Sequence, residues 1–235
     1  MNQCYNCGIP LSELKKNERT KEHIPARALF EGYPIEYRNN RKTVPACFKC
    51  NNEYSTIDDY IRDLIGITNE SDSEKKELTA KTVRKMFKNK GDLNKRMSIK
   101  ENSIYFNFNM STIDKLHLKN FKGIYTLITK KPLDNSYKLD VYSLGHDEKK
   151  LKLGEKFLNE IKQLENWDVS GHENVFKFKM VTVDVESLTL TELVNEDKNA
   201  EPEFIMCGME YNSSVVALVV AMKENMQNYE VTPNS

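Results

Sequence analysis

Four cysteines in the first fifty residues fall as two Cys-x-x-Cys pairs, Cys4/Cys7 and Cys47/Cys50. Each pair presents two thiolates from one tight turn, and two such turns complete a tetrahedron around zinc at about 2.3 Å. A zinc closed by four thiolates keeps no position for a reacting water, so the metal expected here is structural. Redox dithiols are the other reading of the spacing; where thiols stay reduced, the spacing favours metal. Between the pairs lies Glu22-His23-Ile24-Pro25, and Asn51 directly follows Cys50. A carboxylate beside an imidazole is a pairing suited to metal binding or to general acid–base work. Taken singly, each of these residues reads equally well as a polar surface side chain. Their order within fifty residues is what carries the chemistry.

That order, with Val44-Pro45 leading into the second pair and Asn51-Asn52 following it, resembles the HNH endonuclease family. The resemblance covers residues 1 to about 60 and implies a ββα-metal fold supported by zinc knuckles. It implies that Glu22 holds a catalytic magnesium or manganese ion, that His23 is the general base on water, and that Asn51 completes the metal site. Many members carry an Asn ahead of the second knuckle that orients the histidine; Asn40, in Asn39-Asn40-Arg41-Lys42-Thr43-Val44-Pro45, is the nearest residue here. Glu stands at position 22 where Asp is common in the family. The implied substrate is DNA, and the implied setting is a microbial anti-phage or mobile-element system, where some similar nucleases work beside an ATPase. A zinc-ribbon binding or adaptor module without catalysis is the competing reading.

These residues must be positioned by strands and a helix. Neighbours on a straight strand point to opposite faces, so a cation shared by Glu22 and His23 places the pair at a strand end. The first 55 residues, rich in Cys, Asn, Pro and charge, lack an apolar core of their own, and a metal clip would supply folding energy. Ile57, Tyr60, Ile61 and Leu64 have helical spacing up to Gly66. A basic helix is expected over about 72–89, carrying Lys81, Arg84, Lys85 and Lys88 on one face. With Arg27, Arg41, Lys42 and Lys49, these are the candidate phosphate contacts, although a solvated surface reads equally well for each.

Beyond residue 100 the pattern changes to an α+β domain with a mainly antiparallel sheet. Ile104, Phe106 and Phe108 alternate with polar residues, as do Phe176, Phe178 and Met180. Helices are expected over about 111–131 and 147–167, and strands over 137–144, 203–209 and 214–222. His117, His146 and His172 read as ordinary polar residues; Trp167 and Cys207 read as core. The division expected is a zinc-stapled HNH module (1–66), a basic helical connector (67–100), an α+β domain (101–228) and a tail (229–235).

The whole chain has 235 residues, 39% of them hydrophobic and 30% charged, and no net charge. Neutrality argues against indiscriminate coating of DNA. The balance is uneven, however: residues 1–100 carry 20 basic and 14 acidic side chains, and the remainder carries 15 and 21. A polyanion should therefore meet the amino-terminal half, and the acidic, strand-rich half suits protein contacts or self-association. The longest apolar run, Val215–Met222, has eight residues, well short of the roughly 20 that span a bilayer. No secretory signal is visible, and a cytoplasmic, membrane-free protein is expected.

Overall fold

The computed structural model describes residues 2–55, 57–58, 84, 97–100, 103–106, 109–143, 148–184, 187, 189–193, 201–213 and 215–224. The expected helix end over 59–66, most of the 72–89 helix with Lys81, Lys85 and Lys88, Phe108, His146 and the 229–235 tail lie outside the described residues.

Strand β1 (Arg19–Ile24) pairs antiparallel with β2 (Lys42–Cys47), placing Glu22 opposite Val44 and His23 opposite Thr43. Two short 3-10 turns, Arg27–Phe30 and Ile35–Arg38, fill the connection. Helix α1 (Phe48–Glu53) follows β2 without a break, because Cys47 caps it: Cys47 Sγ accepts from the Cys50 N–H at 3.4 Å. A thiol here takes the acceptor role that Ser or Asp usually fills at a helix start.

A second hairpin, β3 (Met97–Lys100) with β4 (Ser103–Phe106), stands apart from the other sheets in its pairing. Helix α2 (Met110–Thr129) then begins at the cap Asn109, whose Oδ1 accepts from the Ser111 N–H, and ends at Lys130 in the left-handed conformation. Next come β5 (Tyr137–Ser143), helix α3 (Glu148–Lys162), β6 (Asp168–Val169), β7 (Phe176–Asp184), β8 (Thr189–Glu192), β9 (Phe204–Tyr211) and β10 (Val215–Lys223). The large sheet runs β5-β10-β9-β7-β6 with β8 on β7, and every pairing is antiparallel. The expected mainly antiparallel α+β architecture is therefore observed. No described helix is long and apolar enough to cross a membrane.

Layering explains the sequence pattern. On one face of the sheet, Ala217, Val219, Ala221, Cys207 and Met209 join α2 residues Leu116, Phe121 and Ile124 in a single buried cluster. On the other, Leu218, Val220 and Met206 pack against Leu158 and Ile161 of α3. Strand β10 is thus covered on both sides, which is why it reads as an unbroken apolar run. Helix α3 stops five residues before Trp167, since Asn166 turns left-handed; Trp167 is half-buried against that second cluster instead.

The same cluster that holds α2 also contains Cys4, Tyr5, Ile24, Leu29, Phe30, Val44 and Cys50. The first fifty residues, expected to depend on a metal for want of apolar material, therefore share a core with the helix and sheet downstream. Polar ties reinforce the contact. Ser170 Oγ donates to the Ile24 carbonyl and accepts from the Lys42 N–H, clamping the ends of β1 and β2. Tyr33 Oη donates to Asn212 Oδ1 at 2.7 Å. Gly123 lets α2 run directly against β1: a Cβ there would lie 2.6 Å from Ile24 Cγ1.

Candidate functional site

Two clusters lie on the hairpin and α1. In the first, the ligand atoms of Cys4, Cys7, Cys47 and Cys50 all fall within 4.8 Å of one another. Tetrahedral zinc with 2.3 Å bonds sets its sulfurs about 3.8 Å apart, and Cys7 Sγ lies 3.9 Å from Cys47 Sγ. All four are free thiols, with Cys7 exposed and the others buried. Burial works to raise the Cys4 pKa, but the backbone N–H groups of Cys47, Cys7 and Asn6 outweigh it and bring the thiol below its usual range. N–H groups aimed at sulfur stabilise thiolate, the form that binds metal. Asn6 Nδ2 donates to Cys50 Sγ at 3.5 Å and is itself held by Lys122 of α2, whose Nζ donates to Asn6 Oδ1 at 3.2 Å. Among the described residues this is a complete four-thiol set of the type that holds structural zinc.

The second cluster surrounds Glu22. Alternation along β1 buries Glu22 and Ile24 and leaves His23 half-exposed. The pair thus sits near the end of the paired strand, with Glu22 turned inward and His23 half-exposed. Glu22 is only 4% exposed, and its Oε1 lies 3.2 Å from Nζ of Lys119, a fully buried residue of α2. The same ammonium donates to both carboxylate oxygens of Asp58, at 2.8 and 2.9 Å. Burial first, and then the Asp58 charge, raises the Glu22 pKa against the lowering effect of Lys119. Glu22 Oε2 is buried without a hydrogen-bond partner. The carboxylate expected to hold a catalytic ion is therefore already served by an internal cation on one oxygen, with the other oxygen open.

His23 has a different environment. Its backbone N–H donates to Glu22 Oε1 at 3.1 Å, and its Nδ1 is buried with no hydrogen-bond partner. Burial, then the charges of Arg41 and Arg27, pulls its pKa from 6.5 down to about 4, leaving a neutral imidazole at physiological pH. Asn40 does not orient it: Asn40 is exposed in the left-handed region (φ 57°), and its carbonyl accepts from the Gly171 N–H. Asn51 lies on α1, half-buried, directly after the cysteine that ends the second pair.

The expected phosphate contacts separate. Arg27 and Arg41 line one cleft together with Arg38 and Glu31. Lys42 is engaged 3.6 Å from Asp168, Lys49 is exposed on α1, and Arg84 is helical and exposed. Sequence reasoning missed Lys119, Asp58 and Arg38. One signal was available for Lys119: His117, Lys119 and Asn120 interrupt the buried side of an otherwise apolar helix. His117 and Asn120 are accounted for by Tyr211 Oη, which lies 3.2 Å from His117 Nδ1 and accepts from Asn120 Nδ2 at 2.9 Å. His172 stacks on Tyr37 with ring centroids 3.5 Å apart. Cys207 is fully buried, as expected of a small core residue.

No family model matches this chain, and no curated protein or solved structure does so either. The chemistry therefore has to be argued from these side chains alone.

Proposed function

We propose that this chain is a metal-dependent endonuclease of HNH type, hydrolysing DNA phosphodiester bonds. The observation that carries the reading is a strand–strand–helix unit with a four-thiol cluster at one end and a neutral histidine near the end of its first strand, within the field of Arg27 and Arg41. His23 would accept the proton of the attacking water; a half-exposed base that is neutral at pH 7 can do so. Glu22, through its unpartnered Oε2, and Asn51 would hold a magnesium or manganese ion, which when bound neutralises charge on the phosphate. The thiol cluster would take zinc and fix the register of β1, β2 and α1. Recruitment by an ATPase-type partner, or self-association through the sheet-rich half, belongs to the same proposal.

The competing reading, a non-catalytic zinc module that binds nucleic acid or protein, also has an observation in its favour: Lys119 already occupies the Glu22 carboxylate. Supercoiled plasmid incubated with magnesium separates the two. The nuclease reading expects His23→Ala to cut at least about a hundredfold more slowly while still binding DNA, the lower end of what a general base contributes. Equal cutting by variant and parent, in protein of equal zinc content, overturns it.

A further inference from the structure

The connection between β1 and β2 does more than join two strands. Its two 3-10 turns and the start of β2 bring Arg27, Arg38 and Arg41 around one cleft of about 330 Å³, lined otherwise by Ala28 and Glu31. Two of the guanidiniums are aimed by the backbone. Arg38 Nη2 donates to the Phe30 carbonyl, and Arg41 Nε donates to the Arg38 carbonyl at 2.9 Å while its guanidinium lies 5.5 Å over the Phe30 ring. Arg27 is exposed at the rim, and Arg38 and Arg41 are half-buried. Crowding them has a cost: burial, then the charges of Arg27 and Arg38, lowers the Arg41 pKa. Three guanidiniums and one carboxylate leave the cleft with a net charge of about +2, a surplus that an entering anion would offset.

From the charge and shape of this cleft we infer that it is a binding site for a phosphate monoester. A monoester carries a charge of about −1.5 to −2 at pH 7 and three strong acceptor oxygens, which matches the charge of the cleft and the forked donors of arginine. An internal phosphodiester carries a single charge and is flanked by sugar on both sides, so it fits a track better than a recess. The monoester can come from the end of a polynucleotide or from a free nucleotide. The cleft adjoins the proposed nuclease site, since Arg27 and Arg41 act on His23, but the inference concerns binding alone and is scored apart from cutting.

The test uses full-length, zinc-loaded protein without added divalent cation. Binding of a fluorescent twelve-nucleotide strand is measured with a 5′-phosphate and with a 5′-hydroxyl, alongside deoxyadenosine 5′-monophosphate. The expected result is a preference of about tenfold for the phosphorylated strand, the scale of one or two charge-assisted hydrogen bonds. Arg27→Gln and Arg38→Gln should each bring that preference close to one, and Arg27→Lys should keep part of it. Arg27 is exposed and its side chain makes no hydrogen bond among the described residues, so its variants should keep the fold. If the free nucleotide binds as tightly as the phosphorylated strand, the source is a nucleotide; if only the strand binds, the source is a polynucleotide end. Equal binding of both strands by the parent protein, with no nucleotide binding, overturns the inference, as does a preference that survives in Arg27→Gln. Plasmid cutting with magnesium is scored separately, because a circular substrate has no terminal phosphate and its failure would bear only on the nuclease reading.

Discussion

The thiol cluster and the Glu22 cluster lie on the same hairpin and helix, yet they are assembled in opposite ways. Cys4, Cys7, Cys47 and Cys50 come from two turns of four residues each, and the Tyr5 N–H, donating to the Pro45 carbonyl at 3.0 Å, ties the first turn to the strand that leads into the second. Glu22 and Asp58 are joined only by Lys119, which belongs to a helix on the far side of the connector. The difference follows from ligand chemistry. Soft thiolates favour a metal such as zinc, and no side chain of the protein can substitute for it. Carboxylates accept a hard cation or an ammonium, so a lysine from the same chain can fill the role. The first cluster would therefore draw on an external ion, whereas in the second one lysine offsets one of the two carboxylate charges from within.

The comparison is broken most severely by removing the zinc or one of its ligands. Cys50→Ser should abolish zinc binding and unfold the amino-terminal region, because structural zinc contributes about 10–16 kcal/mol in small zinc-dependent folds. The face of the large sheet packed on α3 through Leu158 and Ile161 contains no amino-terminal residue, so circular dichroism should retain strand signal while zinc content falls to zero. Loss of the whole fold would place the sheet's stability in the metal as well.

Lys119→Met should come next. It leaves two buried carboxylates without their cation, which costs about 3–5 kcal/mol when one partner of a buried pair is removed. Denaturant unfolding measures this, and magnesium sharpens it: if Glu22 and Asp58 can take a metal, magnesium should stabilise Lys119→Met more than the parent. No magnesium effect in the variant would mark the cluster as purely structural.

A smaller effect is expected where α2 passes β1. Gly123→Val would press on Ile24 and should cost about 1–3 kcal/mol, the usual range for overpacking. Because Ile24 adjoins His23, reduced cutting should accompany reduced stability. The smallest effect is on pH dependence. His23 binds a proton in the unfolded chain near pH 6.5 and in the folded protein only near pH 4. The folded state therefore holds fewer protons between these values, and its stability should rise with pH across that window and level off above it. His23→Gln should flatten that part of the stability curve in urea titrations at fixed salt.

The parts of the molecule set by local sequence were legible, and the parts set by distant contact were not. Cys-x-x-Cys spacing identified the thiol cluster because each turn is self-contained. Helix α2 and strands β5, β7, β9 and β10 followed from apolar periodicity or from an unbroken apolar run. Strands β6 and β8, of two and four residues, gave no period to read. Residues 1–55 seemed to lack a core because their apolar side chains are few locally; Phe30 and Ile24 find their partners in a helix and sheet that come later in the chain. Lys119 as partner of Glu22 was invisible for the same reason, and Arg38 gained meaning only once the turns placed it beside Arg27 and Arg41.

On the nuclease proposal, one bound ion builds the hairpin and a second enables hydrolysis. Zinc content measured beside plasmid cutting, with and without added magnesium or manganese, tests it most directly. The expected result is about one zinc per chain, intact plasmid without the added cation, and nicked or linear plasmid with it. One zinc per chain with plasmid left intact at every magnesium and manganese concentration would contradict it and leave a thiol-clamped binding module.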